Sequence, residues 1–179
     1  ESGIIGGNTK LLYELGPTQV IEGNEAYTNK GGSPWANSNV MAKVVGIVKT
    51  NTSVYPEKRG NGYCAKLETH IEKVKVLGMV NITVLASGSL FLGDMKEPIT
   101  GTKDGEKALN VGVPFNQRPK AVRFDYKVKM SGQPDRIKQN GFSRKSVVKG
   151  QDCAIMTCVL QKRPEDSEGN IIAKRIGTA

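Results

Sequence analysis

No apolar run in this 179-residue sequence reaches the ~18 residues that a membrane-crossing helix needs, so no transmembrane helix is expected. Histidine occurs once, at His70, and cysteine three times, at Cys64, Cys153 and Cys158. None of these has the ligand spacing of a zinc site, and no metal is expected. Three thiols are too few, and odd in number, for a disulfide framework. On a strand, the odd spacing of Cys153 and Cys158 would put them on opposite faces. One pair in an oxidising compartment, or three reduced and mostly buried thiols, are the two readings. A phosphate-cradling glycine loop, a Ser/His/Asp arrangement and a Cys/His pair in a catalytic context are missing too. No catalytic residue is therefore assigned and no cofactor is expected. There is no internal repeat, coiled coil or low-complexity linker. The sequence starts at Glu1 without the charged-then-apolar opening of a signal peptide, which is compatible with a leader already removed.

What is present describes a globular chain. Hydrophobic residues make up 37% and charged residues 24%, a balance that excludes a disordered polymer. The length suits one domain with its own core, and we expect residues 1–179 to form a single β-sandwich domain. Glycine is abundant, at 21 residues, and glycine supplies the positive φ that tight turns require. Many turns in one domain imply many short strands. The net charge of +9 raises nucleic acid, an anionic glycan or an anionic membrane surface as partners. The Lys and Arg residues are spread along the chain and form no block, which favours solvated faces; without a stacking motif, no nucleic-acid partner is expected.

Alternation of apolar and polar residues predicts strands. Between Tyr63 and Glu72 the odd positions Tyr63, Ala65, Leu67, Thr69 and Ile71 face Lys66, Glu68, His70 and Glu72. In Ala121–Met130, Val122, Phe124, Tyr126, Val128 and Met130 share one face, and Arg123, Asp125, Lys127 and Lys129 the other. Val40–Lys49, Lys73–Leu77, Val80–Ala86 and Ala154–Gln161 are further strands, with Leu11–Leu15, Ser89–Leu92, Ser146–Val148 and Asn170–Arg175 as weaker ones. Asp104–Asn110 reads as a short helix. Asn61-Gly62 is a tight-turn signal. Short strands separated by frequent turns predict an all-β sandwich or barrel, with two stacked sheets burying the one-faced strands.

Several stretches together resemble one known family. They are Gly31-Gly32-Ser33-Pro34-Trp35-Ala36-Asn37-Ser38-Asn39; Arg59-Gly60 with Tyr63-Cys64-Ala65-Lys66-Leu67; Ala86-Ser87-Gly88-Ser89-Leu90-Phe91-Leu92-Gly93; and Gly112-Val113-Pro114-Phe115-Asn116-Gln117-Arg118-Pro119-Lys120-Ala121, running into Phe124-Asp125-Tyr126. Their order and spacing are similar to the putative carbohydrate metabolism domain (PCMD) of surface proteins from gut anaerobes, from about Ser33 to the last residue. The resemblance implies a jelly-roll sandwich of galactose-binding type. It also implies an exported protein, secreted or held at the outer-membrane surface by a lipid anchor outside this chain. It brings no established reaction. Family members continue with further strands past the position of Lys174–Ala179. The resemblance therefore implies that a C-terminal segment of the same protein completes the sheets and acts as a partner of this chain.

Candidate ligand-binding residues follow from side-chain chemistry. Trp35 is the only tryptophan, in a loop entering a strand; its flat face suits a sugar ring if exposed and fills core if buried. Asn37, Asn39 and Arg118 offer planar donors and acceptors to sugar hydroxyls, or shape loops and pair with carboxylates. Phe115 and Arg118 lie between Pro114 and Pro119, in a stretch rigid enough either to present a ligand surface or to fix a corner. Glycoside hydrolysis needs two carboxylates ~5–9 Å apart. Glu68 and Glu72 on one strand face would stand ~13 Å apart, and nothing links either to Asp94, Glu97 or Asp125. Asp94, Glu97 and Asp104 fit no calcium loop. The expected function is a noncatalytic module that binds poly- or oligosaccharide. A glycoside-active enzyme and an assembly module without a sugar ligand are the alternatives.

Overall fold

The computed structural model describes residues 9–12, 19–22, 27–28, 34–44, 47–76, 80–97, 99, 107–140 and 143–179. The chain is all-β and built from antiparallel strand pairs. It divides into two compact units, Glu1–Pro114 with Lys138–Ser146, and Phe115–Ile137 with Val147–Ala179.

In the first unit, β1 (Thr9–Leu12) pairs with β2 (Gln19–Glu22). β3 (Tyr27–Thr28) and β4 (Trp35–Asn37) precede a hairpin of β5 (Val40–Val44) and β6 (Ile47–Asn51). A second hairpin joins β7 (Val54–Arg59) to β8 (Gly62–Leu67), and a third joins β9 (His70–Val76) to β10 (Val80–Ala86). β11 (Leu90–Glu97) is the hub of a four-stranded sheet. Its first residues pair with β4, its last with β3, and its middle with β12 (Leu109–Val111).

The strand expectations need three amendments in this unit. The run Val40–Lys49 is two strands, because Val44 pairs with Ile47 and the chain reverses within the apolar stretch. The alternating run Tyr63–Glu72 is also two strands, β8 and β9, interrupted at Glu68 and Thr69. There the Glu68 amide donates to the Ser53 carbonyl at 2.8 Å, and the Gly88 amide donates to the Thr69 hydroxyl at 3.2 Å. These bonds mark where the chain leaves its pairing with β7 and takes up pairing with β10. The strand β7 carries Pro56 and the charges Glu57, Lys58 and Arg59, which hid it from alternation. Its hairpin turns at Gly60-Asn61, one residue earlier than the Asn61-Gly62 signal, and Arg59 pairs with Gly62. Gly60 supplies the positive φ of the turn, 56°, which glycine adopts without steric cost. In place of the expected helix, Lys107 and Ala108 are helical but Leu109–Val111 is strand; residues 104–106 lie outside the described residues.

An edge is covered by a side chain. The Gln139 amide nitrogen donates to the Thr83 carbonyl, and its oxygen accepts from the Leu85 amide, at 2.8 and 2.7 Å. Gln139 thereby occupies two open backbone positions of β10, as a neighbouring strand would.

β13 (Asp135–Lys138) and β14 (Ser146–Lys149) pair with each other, and each has residues in both units. In the second unit, β15 (Val159–Lys162) and β16 (Lys174–Thr178) form a hairpin with an irregularity between Leu160 and Gln161. Cys158 and Ala179 extend it by exchanging both backbone bonds, at 2.8 and 2.9 Å. The expected strand Ala154–Gln161 thus pairs only from its distal half, and Asn170–Arg175 pairs later than expected, at Lys174–Thr178.

The expected strand Ala121–Met130 is corrected here. It joins no ladder, and both its faces are exposed: Val122 is 51% exposed, Phe124 45% and Tyr126 76%. Alternation states which side chains would share a face; a ladder also needs a second backbone in register, which no described residue supplies. Phe124 and Tyr126 lean on each other, with ring centroids 5.6 Å apart.

Candidate functional site

The five sequence-derived candidates fall in both units. Phe115 and Arg118 are exposed residues of the second unit, outside any ladder. Trp35, Asn37 and Asn39 belong to the first unit, on or beside β4. Asn37 and Asn39 are buried, at 0% and 1% exposure. Their amides act on backbone. The Asn39 Oδ1 accepts from the amides of both Ser53 and Val54 at 2.9 Å, and its Nδ2 donates to the Val54 carbonyl at 3.0 Å. The Asn37 Oδ1 accepts from the Asn39 amide at 2.8 Å.

Serines complete a clasp around this point. The Ser38 and Ser53 hydroxyls are 2.7 Å apart, and the Ser89 amide donates to the Ser38 hydroxyl at 2.8 Å. The Ser38 amide in turn donates to the Ser89 carbonyl at 3.0 Å. The segments 37–39, 53–54 and 87–89 are so fastened together, and the buried polar groups of Asn37, Asn39 and Ser53 find their partners in these bonds. Gly88 sits where a Cβ would run into the backbone of Glu68 and Ser53, so the approach requires glycine.

The clasp holds one end of the β4–β11–β12 sheet, and the alternation of that sheet sorts its two faces. Ala36 pairs with Phe91, and with Gly93 and Met95 these residues form the inner face; Ala36 is 0% exposed, Met95 5%, and Gly93 is buried. Trp35 pairs with Leu92 on the other face, which Asn37 and Leu90 share at the clasped end, where Asn37 is buried, and which opens outward at Trp35. The Leu92 carbonyl accepts from the Gly112 amide at 2.7 Å, which places Gly112, the residue after β12, across from it. Two residues along β11, Asp94 pairs with Asn110 on the same face. Trp35 is 41% exposed, Asp94 half-buried, and Asn110 and Gly112 exposed. Strand spacings of ~4.8 Å across and ~6.8 Å between like-facing residues put Asp94 ~8 Å from Trp35, backbone to backbone. The next like-facing residue is Lys96, exposed and paired with Thr28. An aromatic, a carboxylate and an amide thus share one face of a single sheet, with Leu92 beside Trp35 and Gly112 beyond it. Gly93, at φ 137°, lets β11 and β12 close, and a Cβ there would strike the Asn110 carbonyl. Few residues other than glycine tolerate that backbone region.

Other aromatic and charged groups are differently engaged. The Lys66 ammonium lies 5.6 Å from the centre of the Tyr55 ring, within cation–π range. The Tyr55 hydroxyl donates to the Thr52 carbonyl at 2.8 Å. Lys66 also pairs with Glu68 at 2.9 Å; this hydrogen bond and charge raise the Lys66 pKa and lower that of Glu68. His70 Nε2 is 2.9 Å from the Asn51 side-chain oxygen and 3.6 Å from Glu72. Cys64 is half-buried, and Cys153 and Cys158 are exposed; all three are free thiols, two of them less buried than expected. Among the described residues, no group of three or more His, Cys, Asp or Glu could hold a metal ion.

Sequence reasoning singled out Trp35 but not its neighbours on the face. Asp94 drew notice only as a carboxylate or calcium oxygen, and Asn110 not at all. Their union depends on the registers of β4 and β12 against β11, which no local pattern carries.

The curated proteins and the solved structures contain no match to the chain. A family model described as a putative carbohydrate metabolism domain matches residues 16–175. With nearly the whole chain covered, the protein belongs to the PCMD family.

Proposed function

We propose that this chain is a noncatalytic carbohydrate-binding module of an exported bacterial protein, and that sugar is held on the outer face of the β4–β11–β12 sheet. The observation that carries the proposal is Trp35: its ring is on a strand fastened by the Asn39–Ser53 clasp, and it remains 41% exposed. Indole stacks on the C–H side of a sugar ring, and a rigid strand holds it ready without an ordering penalty. Membership of the PCMD family supports a role in carbohydrate metabolism. In this proposal the fold is a jelly-roll sandwich of galactose-binding type. The protein is secreted or stands at the cell surface, held by a lipid anchor outside this chain, and its partner is a poly- or oligosaccharide.

The test is a screen of purified protein against neutral and acidic oligosaccharides, with melting temperature followed in parallel. Trp35→Ala should abolish binding while leaving the melting temperature within a few degrees. Unchanged binding in Trp35→Ala would refute the proposed face. A fall in melting temperature large enough to unfold the protein would assign Trp35 to packing.

A further inference from the structure

Resting on the carbohydrate-binding reading above, we infer that Asp94 and Asn110 are the polar half of the site and select an uncharged sugar ring with adjacent free hydroxyls. The geometry is that of a ring-sized step. Trp35 and Leu92 form one row of the outer face with Gly112, and Asp94 and Asn110 form the next. A ring lying on the indole extends over Leu92 on β11 and directs its rim hydroxyls at the second row, Asp94 first and Asn110 one strand farther.

The chemistry of that row sets what it accepts. An ionised carboxylate only accepts hydrogen bonds, and its two oxygens suit two neighbouring hydroxyl donors. The Asn110 amide can both accept and donate, so it serves a hydroxyl on either side of that pair. Bonds to a charged acceptor are shorter and stronger than neutral ones, so Asp94 contributes more than Asn110. A uronate placed over Trp35 would bring its carboxylate to about one Debye length from Asp94 at physiological salt, taking the backbone spacing of ~8 Å as the guide. Lys96 is one row farther from Trp35 along the same face, so it does not cancel Asp94 at the stacked ring. Selection of a neutral ring therefore runs against the net charge of +9, which alone would favour acidic glycans.

The experiment measures binding of the full chain and its variants to two probe sets of equal length: neutral gluco-, galacto-, manno- and xylo-oligosaccharides, and oligogalacturonate. Wild type should bind at least one neutral probe and bind oligogalacturonate tenfold or more weakly. Asp94→Asn, which keeps shape but loses charge, should weaken the neutral probe about tenfold and narrow or erase the discrimination against oligogalacturonate. Asn110→Ala should weaken the neutral probe by a smaller factor and leave the discrimination in place. Trp35→Ala separates the two levels of the proposal. If it abolishes neutral-sugar binding while Asp94→Asn changes neither affinity nor discrimination, the site stands and the role of Asp94 is refuted. Preference of wild type for oligogalacturonate would refute the selection of an uncharged ring. Unfolding of either variant is excluded by circular dichroism, and Asp94→Glu provides a charge-retaining control that should keep the discrimination.

Discussion

The two units carry the same kind of sequence and reach different ends. Both have alternating strands, and both expose an aromatic: Trp35 in the first, Phe115, Phe124 and Tyr126 in the second. In the first unit the strand bearing Trp35 is paired with β11, and a polar clasp centred on the buried Asn39 and Ser53 ties three chain segments at its end. In the second, the aromatic-bearing stretches join no ladder, and no described residue is buried. Ala36, Val54 and Met95, the buried hydrophobic residues among those described, all belong to the first unit. An exposed aromatic becomes a platform only where backbone pairing fixes it, so exposure alone does not nominate a site. That difference is why the proposed function rests on Trp35 and needs neither Phe115 nor Arg118.

Substitutions should expose this contrast. Asn39→Ala is expected to have the largest effect, because it leaves the Ser53 and Val54 amides buried without their acceptor. Each orphaned buried group costs ~1–3 kcal/mol, so a loss of about 4 kcal/mol in unfolding free energy is expected by chemical denaturation. A loss under about 1 kcal/mol, below the cost of even one orphaned group, would mean the clasp does not hold the first unit together. Gly93→Ala comes next. It forces a side chain into positive φ and against the Asn110 carbonyl. The expected result is a loss of about 2–3 kcal/mol and displacement of β12. Stability unchanged by Gly93→Ala would contradict the close β11–β12 pairing.

In the second unit, Phe124→Ala removes the ring contact with Tyr126 from a residue already 45% exposed, and should lower stability by less than about 1 kcal/mol. Amide hydrogen exchange should agree, with fast exchange across 121–130 and slow exchange in β11. Strong protection at 121–130 would show that the stretch is paired in solution and erase the contrast.

The smallest effect is local to the loop between Asp166 and Asn170. The Asp166 carboxylate accepts from the amides of Glu168 and Asn170 and from the Asn170 side chain. The Asn170 bonds lead in lowering its pKa below the ordinary carboxylate range. A lowered pKa means that the ordering is present above the ordinary value and is lost as pH falls through the lowered one. The Gly169 and Asn170 amide resonances should therefore hold steady from neutral pH down to the ordinary carboxylate range and move only below it. Movement at higher pH would contradict the bonding.

Much of the fold was legible because it is written locally. Val80–Ala86 and Ser146–Val148 pair close to where alternation and β-branched residues put them. The misreadings share one physical cause. Val40–Lys49 conceals a reversal and Tyr63–Glu72 a change of partner, and both are fixed by bonds to distant backbone such as that from Glu68 to Ser53. Ala121–Met130 has the clearest alternation and no ladder, since alternation describes one strand while pairing needs two. The site shows the same division. Trp35 could be noticed for its chemistry, but Asp94 and Asn110 join it only through cross-strand register. The family-like stretches around Pro34–Asn39 and Ala86–Gly93 meet in the clasp and the hub strand, which gives those motifs a structural reason.

Because Trp35 is the only tryptophan, its fluorescence reports on the proposed face without labelling. The most direct measurement is a titration of the full chain with the neutral oligosaccharides, following tryptophan emission and its quenching by acrylamide. Stacking of a sugar on the ring removes water from one indole face, so emission should shift to shorter wavelength and quenching should fall, saturating with the same midpoint as binding. Binding that saturates while emission and quenching stay unchanged would place the sugar elsewhere and contradict the proposal for the Trp35 face.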